Sequence, residues 1–408
     1  MEEREVVVIG AGPSGAIAAA LLKRQGHDVL VIERQHFPRF SIGESLLTHC
    51  LDFVAEAGML PAVEAAGFQY KNGAAFTWHE QYTDFDFGDK FSPGRNSTFQ
   101  VQRADFDQLL ADQASAQGVE IRYGETLVQA DFSSAQPQLT VQREDGAQYN
   151  VSARFVLDGS GYGRVLPRLL DLETPSAFPS RCALFTHIED RIDDAHFDRN
   201  KILISIHPEH RGVWFWLIPF SNGRSSIGVV AEESFYHDRP SDLATCLRQL
   251  TTDVPMLKRI LGNAQWDTPV NRQAGYSANV KALHGQNFAL LGNAAEFLDP
   301  VFSSGVTIAM HSASLAAGLV HRQLQGQAVD WDAEFSKPLM LGVDTFRAYV
   351  EGWYDGSFQN VIFQSDRNAE VKRMICSILA GYAWDSSNPF VAQAKRRLRV
   401  VSELCALD

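Results

Sequence analysis

Residues Val6–Glu33 read VVVIGAGPSGAIAAALLKRQGHDVLVIE. Four apolar residues, Val6 to Ile9, run straight into Gly10-Ala11-Gly12-Pro13-Ser14-Gly15. An Ala- and Leu-rich stretch follows to about Gly26, and a second apolar run, Val29–Ile32, closes on Glu33. Strand, glycine turn, helix and strand in this order predict a dinucleotide-binding βαβ unit. Gly10 permits the tight turn, Gly12 lets the backbone approach a pyrophosphate, and Gly15 lets helix and strand pack closely. Pro13 and Ser14 open the helix, whose N-terminus offers N–H groups and a positive dipole end to the phosphates. Glu33, about 20 residues on, stands where an acid accepts ribose hydroxyls, with Arg34 beside it. A glycine turn that binds nothing is the bland alternative. With strand, helix and acid all in place, a bound nucleotide cofactor is expected.

The chain has 408 residues, 45% hydrophobic and 21% charged, which is ordinary for a globular protein and long enough for two or three domains. The fold begins by residue 6, leaving no room for a charged-then-apolar signal segment. No apolar run approaches the length of a transmembrane helix, so stable membrane insertion is not expected. The five cysteines (Cys50, Cys182, Cys246, Cys376, Cys405) are scattered and form no CxxC pair. Reduced thiols in a cytoplasmic protein, with no metal site, are the expectation. A formal net charge of -13 argues against nucleic-acid binding. The basic run Lys395-Arg396-Arg397-Leu398-Arg399 is a local reversal, and a solvated helix face is its plain reading.

Farther along, helices are expected over about Ser45–Ala57 and Gln102–Gln117, around Asp242–Leu261, and over about Gly305–Gln323. An aromatic, loop-rich stretch to about Gln102 departs from the nucleotide domain, and Gly67–Trp78 becomes strand-like within it. Strands follow at Glu120–Tyr123, Thr126–Phe132, Gln138–Arg143 and Ala147–Ala153. Arg154–Asp158 is a buried strand ending in Asp158-Gly159, and Phe288–Gly292 is the last core strand, ending in Gly292-Asn293. Short polar or flexible residues at strand ends are where such sheets bind ligands, although each pair is also ordinary turn chemistry. Only one dinucleotide fingerprint is present, so a second module for a nicotinamide is missing. Arg103, opening its helix, can reach the cofactor from the far side.

In this order these features resemble the glutathione-reductase-type FAD proteins of the aromatic hydroxylase group. Within that group, roughly residues 5–365 resemble the flavin-dependent halogenases of the non-tryptophan kind. Gly43-Glu44-Ser45-Leu46-Leu47 matches the GESL loop. Trp214-Phe215-Trp216-Leu217-Ile218-Pro219 matches WxWxIP. Phe297-Leu298-Asp299-Pro300-Val301-Phe302-Ser303-Ser304-Gly305 matches FxxPxxSxG. Lys71, in Gly67-Phe68-Gln69-Tyr70-Lys71-Asn72-Gly73, falls where such enzymes keep an active-site lysine.

The resemblance implies an α/β fold. A discontinuous FAD-binding Rossmann domain would span 1–165 and 276–330, with an insertion at about 60–102. A β-sheet substrate domain would span 166–275, and a helical C-terminal segment 331–408. It implies FAD held by Gly10, Gly12, Pro13, Ser14, Gly15, Glu33, Arg34, Glu44, Ser45, Arg103, Asp158, Gly159, Gly292, Asn293 and Pro300. Chloride or bromide would sit on the backbone of Ser304 and Gly305, at a helix N-terminus. Lys71, Trp214, Trp216 and Ser303 form the implied catalytic set. Lys71 would intercept hypohalous acid, as a haloamine or as a polarising ammonium, and burial would favour the neutral amine. The tryptophans would wall the passage between flavin and lysine. Alternation on a strand also fits two core tryptophans, and Ser303-Ser304-Gly305 also fits a plain helix cap.

Reduced flavin would come from a separate flavin reductase, and the substrate would be a phenol or pyrrole, free or on an acyl or peptidyl carrier protein. The basic run would then dock an acidic carrier. Asn293 stands where relatives usually show Asp, which bears on flavin affinity. Phe302 replaces the glutamate of tryptophan halogenases, which argues for an already electron-rich ring. Phe346, Tyr349, Trp353 and Tyr354 share a helix face, as core or as a lid over the substrate. Two rival functions share the sequence: a flavin monooxygenase or reductase indifferent to halide, and a non-catalytic flavin-binding partner.

Overall fold

The computed structural model describes residues 2–176, 178–364 and 368–405. Residues 365–367 and 406–408 of the expected helical segment lie outside the described residues.

The βαβ unit forms as its sequence requires. Strand β1 (Glu2–Ile9) enters the glycine turn, α1 (Pro13–Arg24) leaves it, and β2 (Val29–Glu33) returns parallel to β1. Gly10 has φ +90°, and a Cβ on it would lie 2.7 Å from the Gly159 carbonyl oxygen; one on Gly15 would lie 1.8 Å from the Gly10 oxygen. Both positions therefore demand glycine. Ala16 to Leu22 are buried on all sides of α1, since α1 is sandwiched between the sheet and later helices.

Two strands from the loop-rich stretch follow, β3 (Gly73–Trp78) and β4 (Gln81–Asp86). Helix α2 (Arg103–Ala116) then returns the chain to the nucleotide sheet through β5 (Glu120–Tyr123). An antiparallel ribbon, β6 (Glu125–Asp131) and β7 (Gln138–Arg143), leads to the long β8 (Gln148–Asp158). The two strands expected at Ala147–Ala153 and Arg154–Asp158 are one, because no turn residue interrupts them. With β14 (Phe288–Leu290) the parallel core has the order β14-β8-β1-β2-β5.

The second sheet is built from β9 (Arg181–Glu189), β10 (Lys201–Ile206), β11 (Trp214–Pro219), β12 (Arg224–Glu232) and β13 (Asn271–Ala274). Its order is β13-β9-β12-β11-β10-β3-β4. The loop-rich excursion thus donates two strands to this sheet, β3 pairing parallel with β10. The expected helix around Asp242–Leu261 is two, split by Pro255 into Leu243–Asp253 and Pro255–Ile260. Similarly, the helix expected from Ser45 begins only at Cys50, because Ser45 bridges to Gln100 instead.

Helix α3 (Ser304–Leu324) packs on α1, and α4 (Lys337–Tyr354) packs on α3. Phe346, Tyr349 and Trp353 on α4 are fully buried, so this aromatic face is core packing rather than a mobile cover. The last described helix, α5 (Ala394–Cys405), rests on α4 with Ala394 and Leu398 buried. No described helix is long and apolar enough to cross a membrane.

Candidate functional site

Between the two sheets lies a cavity of about 400 Å³, within the range of ligand sites. One end is built by the glycine turn: Gly10, Gly12, Pro13, Ser14, Glu33, Arg34 and Gly159 line it. Glu33 accepts hydrogen bonds from the Ala11 and Gln35 N–H groups, both at 2.8 Å, so its carboxylate pins the turn while facing the cavity. Glu44, Ser45, Arg103, Asn293 and Pro300 continue the wall. Arg103 donates to both carboxylate oxygens of buried Asp107 (2.7 and 2.9 Å) and to the Ile42 carbonyl. It thereby fixes the loop before the GESL motif. Glu44, buried, accepts from His187 Nε2 at 2.6 Å, tying that motif to β9.

The other end is floored by the second sheet. Alternate residues face it on three strands: Ala183 and Phe185, Ile202 and Ile204, then Trp214, Trp216 and Ile218. Trp214 and Trp216 are buried, with ring centroids 5.9 Å apart. Trp216 donates to Ser226 Oγ at 3.0 Å and packs its ring against Gly228, its neighbour on β12. A Cβ there would come within 2.2 Å of the indole, so Gly228 is the space Trp216 occupies. Across the cavity stands the N-terminus of α3. Ser303 (φ +55°) turns the chain, and Ser303, Gly305 and Val306 line the cavity. A helix of this length directs a positive dipole end and unpaired N–H groups into the space.

Lys71 does not line the cavity. Its Nζ donates to the Leu46 carbonyl at 2.7 Å and sits 5.3 Å from the Phe87 ring centroid. The side chain is buried, on a short ribbon formed by Gln69–Lys71 and Thr98–Gln100. Desolvation lowers its pKa to about 7. Four of the implied cofactor and halide residues also stand back from the cavity. Gly15 and Gly292 serve close packing against Gly10 and Ala309. Asp158 accepts from the Ser160 and Leu166 N–H groups (2.9 and 2.6 Å), and Ser304 lies buried in the first turn of α3.

The family described as an FAD binding domain matches residues 3–333. The chain belongs to the FAD binding domain family. A flavoprotein/dehydrogenase from Cytophaga hutchinsonii superimposes with a TM-score of 0.97 and 41% identity, over 100% of this chain and 99% of that one. A triple mutant of the flavin-dependent brominase Bmp2 superimposes with a TM-score of 0.83 and 25% identity, over 99% of this chain and 100% of that one. A curated relative, the 1H-pyrrole-2-carbonyl-[peptidyl-carrier protein] chlorinase of Pseudomonas fluorescens, is 27% identical over 86% of this chain and 82% of its own length. The resemblance to flavin-dependent halogenases carried by the four motifs stands, and the chain is an FAD-dependent oxidoreductase.

The residues present fit FAD. The glycine turn is the cradle a dinucleotide pyrophosphate needs, and a Cβ at Gly12 would meet only the Arg39 guanidinium, at 3.3 Å. Two buried hydroxyls lining the cavity, Ser45 Oγ and Tyr276 OH, have no hydrogen-bond partner among the described residues. Orphaned polar atoms facing a cavity are expected where a polar ligand completes them.

Several lining residues escape the motifs: Glu125, Thr126 and Leu127 at the start of the ribbon, Tyr162, Tyr276 and Arg39. Arg39 is held by Asp107 at 3.1 Å. Ile202 and Ile204 lie in no motif but belong to the sheet expected as the substrate domain. Tyr276 carries no local signal.

Lys71 makes stability depend on pH. Its folded pKa is depressed, so between about pH 7 and the ordinary lysine range the unfolded chain binds the extra proton, and stability rises with pH across that window. Relative to Lys71→Met, the wild type is expected to gain on the order of 4 kcal/mol over that interval in urea unfolding. Parallel pH dependences of the two proteins would show an amine with an ordinary pKa.

Proposed function

We propose that this protein halogenates an electron-rich aromatic ring, a phenol or pyrrole, with chloride or bromide as halogen source. The observation that carries the proposal is the N-terminus of α3 facing the cavity that Trp214 and Trp216 also line, with the desolvated Lys71 amine held on the Leu46 carbonyl, next to the lining residue Ser45. The glycine turn, Glu33 and Arg103 would hold FAD, which, reduced by a separate flavin reductase, would supply the oxygen activation needed to oxidise the halide.

The chain's residues have distinct tasks. The backbone N–H of Gly305, the implied halide residue that lines the cavity, holds the halide, where the dipole of α3 favours an anion. Ser303, in its left-handed turn, aims that group at the cavity. Trp214 and Trp216 exclude water and keep the aromatic substrate from the flavin side, so that oxygen is not inserted directly. Lys71, neutral for much of its population near pH 7, is a nucleophile for hypohalous acid: nitrogen displaces hydroxide from the halogen, and its proton leaves with that hydroxide as water. Phe302 supports an activated substrate, since it is buried against Tyr349, Trp353 and Phe358 and offers no acid or base.

Carrier tethering is supported by the named substrate of the Pseudomonas fluorescens relative and by α5. Lys395 pairs with Glu351 at 2.8 Å, whereas Arg396, Arg397 and Arg399 point to solvent. A second reading, oxygen insertion or reduction without halide, draws on the Cytophaga hutchinsonii flavoprotein/dehydrogenase and on a cavity that stops short of Lys71.

Incubation of purified protein with reduced FAD, oxygen, bromide and a panel of phenols and pyrroles separates these readings. Mass spectrometry is expected to show a brominated product in wild type. Lys71→Ala is expected to lower its yield at least about a hundredfold while flavin reoxidation continues. Hydroxylated or reduced products unaffected by bromide would establish the second reading, and absence of bound flavin would establish a non-catalytic protein. With a pyrrole on a peptidyl carrier, Arg396→Glu with Arg397→Glu is expected to raise KM about tenfold and leave kcat unchanged. An unchanged KM would place carrier docking elsewhere.

A further inference from the structure

Trp214 is held from outside its own sheet. Its Nε1–H donates to the Tyr354 hydroxyl at 2.9 Å, and that hydroxyl donates to Asp299 Oδ2 at 2.8 Å. The other carboxylate oxygen, Oδ1, accepts from the Val301 N–H at 3.0 Å. Val301 belongs to the one-turn helix Pro300–Phe302, which runs into Ser303 and the start of α3. One buried carboxylate thus holds both the tryptophan wall and the turn that aims the α3 N-terminus. The hydroxyl in the middle comes from the last residue of α4, 140 positions beyond Trp214.

We propose that Asp299 and Tyr354 are positioning residues that fix the Trp214 indole against the cavity and couple that wall to the turn before α3. Their consequence for catalysis rests on the halogenase function proposed above; the coupling itself does not. A tryptophan on a sheet is free to change its ring angle if its N–H is satisfied elsewhere. Here the N–H has one acceptor, and that acceptor is committed by its own donation to a carboxylate. Moving the ring therefore breaks a hydrogen bond whose acceptor is itself pinned by a charge-assisted one and cannot follow freely.

The charged and titratable groups around Asp299 come from four elements. From β9, the Arg181 guanidinium lies 3.3 Å from the Tyr354 ring centroid and pulls the carboxyl pKa down. From α4, the Tyr354 hydroxyl does the same by hydrogen bonding. Tyr276, after β13, and Tyr162, in the turn after β8, face the carboxylate as neutral phenols whose own pKa values are raised by burial. The Val301 N–H lowers the carboxyl pKa as well, but desolvation outweighs the three favourable partners and pushes Asp299 up to about 6. Above that pH the carboxylate accepts from Tyr354; below it, the acid carries a proton of its own and the hydroxyl is released to reorient.

The test is 19F NMR on the full chain labelled with 5-fluorotryptophan. The Trp214 resonance, one of seven, is assigned by its disappearance in Trp214→Phe. In wild type it is expected to shift with a midpoint near pH 6, and in Tyr354→Phe and Asp299→Asn to stay constant over that range. Tyr354→Phe removes a single hydroxyl, so it decides the question even if Asp299→Asn does not fold. A Trp214 resonance that titrates identically in Tyr354→Phe would overturn the coupling. In the enzyme assay, Tyr354→Phe is expected to raise several-fold the share of reduced flavin consumed without brominated product, at unchanged substrate KM. Tight coupling in Tyr354→Phe would overturn the catalytic consequence. Absence of bromination in wild type would count against the proposed function alone, since the NMR result does not depend on it.

Discussion

The whole site depends on backbone passing within a side chain's width of backbone. Gly10, Gly15 and Gly159 meet where β1, α1 and β8 converge, and even a methyl group at Gly15 would overlap the Gly10 oxygen. That contact seats α1 on the parallel sheet and opens its N-terminus to the cavity. It also fixes the distance from the glycine turn to α3, which packs along α1. Two helix N-termini therefore face one cavity from a single rigid layer. One suits a pyrophosphate and the other a small anion.

The opposite wall is made by a sheet whose cavity face is almost entirely apolar. Charge is thus segregated: Glu33, Arg34, Glu44 and Arg103 lie toward the glycine turn, while the floor is isoleucine, phenylalanine and tryptophan. Burial away from water explains why two ionisable groups, Lys71 and Asp299, both shift toward their neutral forms. Perturbed pairs of this kind collect at functional sites, because chemistry at neutral pH needs groups poised to change protonation. The amine is held by one carbonyl and the carboxylate by two donors, so each has a defined position without a counter-ion in direct contact.

Much of this was legible in the sequence because it is local. The glycine turn, Glu33, the WxWxIP strand and the Ser303–Gly305 turn each act within a few residues, and local spacing reports them faithfully. What escaped was non-local. Gly73–Trp78 reads as strand-like, but nothing near it names the distant strand, Lys201–Ile206, with which it pairs. Gln81–Asp86, which pairs with Gly73–Trp78, is lost in the loop-rich excursion. Asp158 looks like a strand-end ligand, yet its oxygens are occupied by its own turn. Tyr354 reads as one of four aromatics on a helix face. Only the fold brings its hydroxyl between Trp214 and Asp299, while its neighbours Phe346, Tyr349 and Trp353 are plain core.

The reading of the site turns on α3 presenting a halide site to the flavin cavity, whose lining includes Trp214 and Trp216 but not Lys71. Crystals of the FAD-loaded protein grown in bromide, with diffraction recorded at the bromine absorption edge, test it most directly. An anomalous peak within hydrogen-bonding distance of the Gly305 N–H, on the cavity side of Trp214 and Trp216, is expected. Bromide found only at surface arginines, with a water or side chain filling the space before Gly305, would contradict it.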